Sequence, residues 1–172
     1  MLDIIAHIGP DGELGIGQSE LALHDRLDLQ CFKLMTQARL NVKLFAGRHT
    51  AESMHKMGFK PGISRKCYYV SRAPHSKIGC FTPCEMLDLI SVANNSYSHA
   101  YCIGGAMLYS YAAPYCKQAL IARLDNGDYS KADVFWRPEE HGLVAYDTIF
   151  KYGAYTITRY LPKTQPYGLF TA

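Results

Sequence analysis

Residues able to do chemistry gather in three places along this chain. The first is Asp28, with Phe32 four residues on and Met35 seven on, so that a carboxylate shares one helical stripe with an aromatic ring and a thioether. If that stripe lines a cleft, the carboxylate can handle a proton or grip a cationic or amidine-like ring through charge-assisted hydrogen bonds. A purely structural role fits equally well: with Asp25 as helix cap, Asp28 falls at the third helical position, where the helix dipole favours negative charge. The second place is Tyr101-Cys102-Ile103-Gly104-Gly105-Ala106-Met107-Leu108-Tyr109, an apolar run that stops at two adjacent glycines and resumes with helical spacing. Two residues without Cβ let the backbone approach another group closely, and the first N–H groups of the following helix are free to face an anion. The third is Gly47-Arg48-His49-Thr50-Ala51-Glu52-Ser53, again a glycine before a helix start. Thr50 is expected to cap that helix, while Arg48 and His49 offer charge or hydrogen bonds to a phosphate. Each corner alone is also an ordinary strand-to-helix connection. Their joint occurrence points to a nucleotide cofactor.

Positioning such groups calls for alternating strands and helices, and the hydrophobic pattern supplies them. Residues 2–8 read as a nearly continuous apolar strand buried on both faces, ended by Gly9-Pro10-Asp11-Gly12. Residues 12–24, with Gly12, Gly15 and Gly17 and little periodicity, read as a mobile loop over a site. A helix follows at 26–38, then a strand at 42–45, a helix at 50–57, a strand at 66–70, a helix at 83–94, a strand at 100–103 and a helix at 105–112. Three further β-prone runs, 118–124, 143–150 and 155–160, follow without intervening helices and are expected to add an antiparallel edge. The expected fold is α/β: one domain over residues 1–172, a central and mostly parallel twisted sheet, an antiparallel C-terminal edge, and helices on both faces.

Composition narrows the classes of function. A 172-residue chain with 48% hydrophobic residues is long enough for one good core. Eighteen basic against 15 acidic residues, scattered along the chain, give a net charge of +3, too little for a dedicated nucleic-acid binder. No apolar run reaches the roughly 20 residues of a membrane span, and the start Met1-Leu2-Asp3-Ile4-Ile5 lacks the basic opening of a secretory signal. A cytoplasmic monomer with neither nucleic-acid nor membrane partner is expected. Cys31, Cys67, Cys102 and Cys116 sit in apolar runs and read as reduced, buried thiols; Cys80 and Cys84 form a close pair with no matching second pair, so no metal is expected.

The order of these segments resembles the dihydrofolate reductase family over most of the chain. The likeness is carried by Ile4-Ile5-Ala6-His7-Ile8, Asp28…Phe32-Lys33…Thr36, Gly47-Arg48-His49-Thr50-Ala51-Glu52-Ser53, Pro61-Gly62 with Arg65-Lys66, Val70-Ser71-Arg72, and Ile103-Gly104-Gly105-Ala106…Tyr109. The glycine-arginine-histidine-threonine run is the most specific piece. The resemblance implies NADPH-dependent reduction of dihydrofolate to tetrahydrofolate, serving thymidylate and purine synthesis. Asp28 would grip the amino group and ring nitrogen of the pterin and favour protonation of the neighbouring ring nitrogen through water. Ile5, Leu29, Phe32, Met54, Ile103 and Tyr109 would line the pterin and aminobenzoyl pocket, and Arg65 would bind the glutamate carboxylate. Arg48 and Arg72 with Ser71 would hold the 2′-phosphate of NADPH, His49 and Thr50 its pyrophosphate. Gly47 would shape that corner, and the backbone of Gly104, Gly105 and Ala106 would complete the cradle.

The chain also departs from the family pattern. Leu21-Ala22-Leu23-His24 stands where members carry leucine, proline and tryptophan, and Ala122 stands where a late strand places a threonine against the catalytic acid. Met107 replaces a basic residue and Ala51 a tryptophan. Asp28 is therefore expected to lack its orienting partner, and the enzyme to be slower or altered in specificity. Two other readings are a riboflavin-pathway pyrimidine reductase, disfavoured by Asp28 in its apolar stripe and by Arg65, and a non-catalytic binder of a nucleotide or protein, motivated by Leu23 and Ala122.

Overall fold

Strand β1 (Leu2–His7) is apolar at nearly every position because it runs through the centre of the sheet, with Leu2 and Ile4 fully buried. The computed structural model describes residues 1–17, 20–37, 41–56, 65–72, 80–81, 85–86, 88 and 99–163. β1 is flanked in parallel by β7 (Ala100–Cys102) on one side and β8 (Gln118–Leu124) on the other. Beyond β7 come β4 (Val42–Gly47), β5 (Arg65–Val70) and β6 (Cys80–Phe81), all parallel; beyond β8 come β11 (Tyr155–Pro162) and β10 (Leu143–Tyr152), both antiparallel to their neighbours. The sheet order is therefore β10-β11-β8-β1-β7-β4-β5-β6.

The mostly parallel sheet with an antiparallel edge is thus present, with two corrections. Residues 118–124 do not begin that edge. The helix α3 (Ala106–Ala112) and the 3₁₀ turn Ala113–Tyr115 carry the chain over the sheet, so β8 enters parallel to β1 and only β11 and β10 reverse. A second correction concerns residues 12–24. They form β2 (Glu13–Ile16) and β3 (Glu20–Leu21), which join β9 (Val134–Phe135) in a separate three-stranded sheet. Backbone pairing with a distant segment, invisible to local periodicity, gives this glycine-rich stretch its structure. The helix expected at 83–94 and the Cys80–Cys84 pair fall largely outside the described residues.

Helix α1 (Arg26–Gln37) lays Leu27, Cys31 and Met35 over Ala122, Tyr155 and Ile157 of the β8–β11 side, while Phe32 and Met35 meet Ile5, Leu44 and Tyr101. Helix α2 (Arg48–Lys56) leaves β4 directly and buries Ala51. Among the described residues, no helix is long and apolar enough to cross a membrane.

Candidate functional site

The start of α1 sets the position of Asp28. Asp25 accepts the Asp28 backbone N–H at its Oδ1, 2.8 Å away, which fixes the first turn and leaves the Asp28 carboxylate facing the sheet. Both roles considered for Asp28 are therefore combined: it is a first-turn acid, and its side chain is only 17% exposed. The Tyr155 hydroxyl donates to Oδ1 at 2.9 Å. His7 Nδ1 lies 3.2 Å from Oδ2, off the angle of an aligned hydrogen bond. On the far side of the ring, His7 Nε2 is 3.1 Å from the Tyr129 hydroxyl, which donates to the Leu124 carbonyl at 3.2 Å.

The expectation that Asp28 lacks an orienting partner is therefore overturned. Ala122 is buried beside Tyr155 in one apolar cluster, and the donor comes from the next strand rather than from β8. Burial, with the Asp28 carboxylate second, pushes the Tyr155 phenol far above its ordinary range; burial pushes Tyr129 up to about 12. Both are neutral hydroxyl donors throughout the physiological range. Burial also raises the neighbouring Cys31 thiol, which is within hydrogen-bonding reach of Tyr155.

An apolar surface continues from this carboxylate along the same face of β1, since Ile5 and His7 are two residues apart on one strand. Ile5 and Ile103 are buried in one cluster, with Phe32 and Met54 packed half-buried against it. Tyr109 is buried; its hydroxyl donates to the Ile5 carbonyl at 2.9 Å and its ring lies 5.0 Å from that of Trp136. Leu29 stands apart from the cluster, 47% exposed. Arg65 opens β5 opposite Val42, five residues from the Gly47–Val70 pair, and its side chain lies outside the described residues.

The two glycine corners meet. The Gly47 N–H donates to the Gly104 carbonyl at 2.6 Å, and a Cβ on Gly47 would stand 3.4 Å from that oxygen and from the Gly105 nitrogen. Gly104 has φ +127°, and a Cβ there would reach within 3.1 Å of Thr50 Oγ1 and 3.2 Å of the Tyr109 hydroxyl. Thr50 is not the cap of α2: the helix begins two residues earlier at Arg48, because β4 passes into it without a loop, and the Thr50 side chain faces the second glycine corner instead. Gly105 precedes α3 in extended conformation with no side-chain capping bond, and Ala106 opens the helix. Arg48 Nη2 is 3.3 Å from His49 Nε2, while Glu52 lies 3.8 Å from Arg48 and 3.6 Å from His49. Ser71 and the exposed Arg72 follow Val70, which pairs with Gly47, so they emerge at the same edge of the sheet as Arg48.

Sequence reasoning missed four contributors: His7, Tyr129, Tyr155 and Asp133. Asp133 Oδ1 accepts the Gly17 N–H at 2.6 Å and ties the β2–β3 hairpin down. Two of the four carry a usable local signal: His7 is the one ring nitrogen bearer in an apolar strand, and Tyr155 sits at an inward position of β11, in phase with Ile157.

The sequence matches the family model described as dihydrofolate reductase over residues 1–146. Among solved structures, the fold is similar to the dihydrofolate reductase from Enterococcus faecalis complexed with NADP(H) and RAB-propyl, with a TM-score of 0.71, 18% identity, and coverage of 94% of this chain and 95% of that one. No curated protein sequence matches the chain.

Proposed function

Because the chain belongs to the dihydrofolate reductase family, we propose that it reduces 7,8-dihydrofolate to 5,6,7,8-tetrahydrofolate with NADPH, supporting thymidylate and one-carbon metabolism. The single observation that carries this reading is the half-buried Asp28 carboxylate, held by Tyr155 and His7 on the same sheet face as the Ile5, Phe32, Met54 and Ile103 surface. Tyr109 links that surface to the glycine corners, bonding the Ile5 carbonyl while lying against Gly104. A planar heterocycle with an amidine-like edge suits this arrangement. Each Asp28 oxygen faces one protein group and retains a lone pair for an N–H of the ring.

The corners fit a dinucleotide. Gly47 and Gly104 bring the two corners together, a Cβ on Gly104 would crowd Thr50 and Tyr109, and two backbone segments there carry helix-start N–H groups for a pyrophosphate. Gly47, His49, Thr50, Gly104, Gly105 and Ala106 would line the pyrophosphate, and Arg48, Ser71 and Arg72 the 2′-phosphate; His49 and Arg48 would each exchange Glu52 for its own phosphate. The bound cofactor supplies the hydride. The chain's own residues orient and enclose: Asp28 fixes the pterin edge, the apolar side chains exclude water, Leu29 offers an exposed rim for the aminobenzoyl group, and Arg65 pairs with the glutamate carboxylate.

The test is dihydrofolate-dependent NADPH oxidation by the purified chain. Turnover is expected, with Asp28→Asn lowering kcat/KM by about 10²–10⁴-fold. Cofactor binding without turnover would replace this reading with that of a non-catalytic dinucleotide binder.

A further inference from the structure

Strand β10 closes the antiparallel end of the sheet, with β11 as its hydrogen-bonded neighbour, and every residue of it after Leu143 is exposed. Such an edge presents a row of backbone N–H and C=O groups to any chain able to add a strand. Val144, Tyr146, Ile149, Phe150 and Tyr152 all stand in water, the two tyrosines 66% and 71% exposed. The strand holds no proline or glycine, and its charges, Asp147 and Lys151, cancel. Pairing with β11 shows which side chains share a face. Val144, Asp147, Phe150 and Tyr152 stand opposite Leu161, Arg159, Ile157 and Tyr155, on the side where α1 covers Tyr155 and Ile157. Tyr146 joins them, its ring 5.1 Å from the Arg159 guanidinium carbon. Ala145, Thr148 and Lys151 stand opposite Tyr160, Thr158 and Thr156, on the other side. Two bulges produce this pattern, with Tyr146 and Ile149 as the extra residues on either side of Thr148. Counted outward from Thr148, each direction gives a bulged doublet ending in an aromatic ring on the α1 side (Tyr146, Phe150). Next comes a residue on the other side (Ala145, Lys151), then an apolar residue on the α1 side (Val144, Tyr152). The strand thus has the same pattern in both directions, the self-complementarity that a contact across a two-fold axis requires.

We propose that β10 pairs antiparallel with β10 of a second copy of this chain, about a two-fold axis through Thr148, joining the two sheets into one. A lone bulge blunts an edge, but two bulges placed evenly about the axis meet doublet to doublet. In this register Thr148 meets the partner's Thr148, Tyr146 meets the partner's Phe150 and Val144 meets the partner's Tyr152, the last two pairs each formed twice. Threonine, aromatic and aromatic–β-branched pairs are the cross-strand combinations that stabilise antiparallel sheets. No like charges oppose: Asp147 falls opposite the partner's Ile149 and is already held by Arg159 at 2.7 and 2.8 Å, and Lys151 falls opposite the partner's Ala145. The five apolar side chains leave roughly 500 Å² in water on each copy. With the backbone row added, the contact reaches about 1,200 Å² in total, the lower limit of a stable interface, so a dissociation constant of about 1–100 μM is expected. The seam also backs the site, because Phe150 meets the edge of the Tyr155 ring that donates to Asp28. The pairing itself does not depend on the reductase reading.

Sedimentation of the full chain from about 1 to 300 μM, with hydrogen exchange of the β10 amides at both ends of that range, tests the pairing. A shift from monomer to dimer is expected, with β10 protection rising as the dimer forms. Thr148→Lys sets two ammonium groups against each other on the axis and should weaken the dimer at least about tenfold, as should the two carboxylates of Thr148→Glu. An equimolar mixture of the two variants replaces repulsion with attraction and should restore association, a result that a folding defect in either variant would not give. A wild type that stays monomeric throughout overturns the proposal. So does a dimer that both variants leave unchanged, since the copies would then meet elsewhere. A monomer whose β10 amides are protected at every concentration, and become exposed when residues 164–172 are removed, assigns the edge to the chain's own end and also overturns it. None of these readouts uses turnover, so a chain that fails to oxidise NADPH would remove the reductase reading and leave the pairing to be decided by sedimentation.

Discussion

Tyr155→Phe isolates the hydrogen bond on which the orientation of Asp28 depends. The substitution deletes one oxygen, 2.9 Å from Asp28 Oδ1, and keeps the ring, which is 1% exposed and makes edge contacts with His7 and Phe150 at 6.2 Å. A hydrogen bond to a charged group contributes about 1.5–3 kcal/mol, and at 1.36 kcal/mol per tenfold this corresponds to about 10- to 150-fold in kcat/KM. Because Oδ2 retains His7, the lower part of that range, about 10- to 30-fold, is expected. The deficit should be constant across neutral pH, since burial and the adjacent carboxylate hold the phenol protonated far beyond its ordinary range. The assay is steady-state NADPH oxidation at several pH values, with circular dichroism to confirm the fold. A folded variant with kcat/KM within about twofold of wild type would show that Tyr155 does not orient the acid, and the reasoning from Ala122 to Tyr155 would fail.

Four further outcomes follow from the same geometry. Adding threonine at Ala122 in the Tyr155→Phe background restores a donor from β8 and should recover part of the lost kcat/KM; because Ala122 is 3% exposed, overpacking of about 1–3 kcal/mol limits the gain, and a double variant no faster than Tyr155→Phe refutes the compensation. Gly104→Ala forces φ +127° on a residue with a Cβ and crowds Thr50 and Tyr109, so it should lower Tm by about 2–8 °C and weaken NADPH binding at least about tenfold by calorimetry; unchanged binding refutes the cradle. Arg48→Ala should raise KM for NADPH about tenfold and leave KM for NADH within about twofold, and an equal loss for both would place Arg48 away from the 2′-phosphate. Burial pushes the Cys102 and Cys116 thiols up to about 12 from the usual 9.0; above pH 9 the unfolded chain ionises while the folded one stays protonated, so stability present below pH 9 is lost as pH rises towards 12. Each thiol costs about 1.4 kcal/mol per pH unit there, and replacing both by alanine should shrink the fall in denaturant-measured stability between pH 8 and 10 by about 2–3 kcal/mol.

What was legible in the sequence was local. The Asp25 cap, the stripe of Asp28, Phe32 and Met35, and both glycine corners are readable because each is set by residues a few positions apart. That the corners touch, through a 2.6 Å bond between Gly47 and Gly104, follows only from β4 and β7 lying side by side. Local reading failed where partners are distant. The strands β2 and β3 owe their structure to β9, more than a hundred residues away. The direction of β8 depends on where a crossover lands, and the same apolar alternation serves a parallel or an antiparallel neighbour. In the sequence His7 reads as one more member of an apolar strand, and nothing within ten residues of it shows that it faces an acid.

The position of Tyr155 explains how a divergent chain keeps its acid oriented. The family match ends at residue 146, and Tyr155 lies beyond it, on a strand that the match does not cover. Ala122 pairs with both His7 and Ile157, so it stands between the two strands that hold Asp28, and its small side chain leaves the volume that the tyrosine ring fills beside it. A short donor on β8 and a long donor on β11 are thus alternative ways to reach the same carboxylate oxygen, and the alanine is what makes the longer one fit. His7 follows the same logic at the other oxygen, since its ring needs the space beside Ala122 and a hydrogen-bond partner for Nε2, which Tyr129 provides. Positions 7, 122, 129 and 155 are therefore one packing unit around Asp28. Substitutions within this unit should be non-additive, whereas a change at the glycine corners should combine additively with any of them.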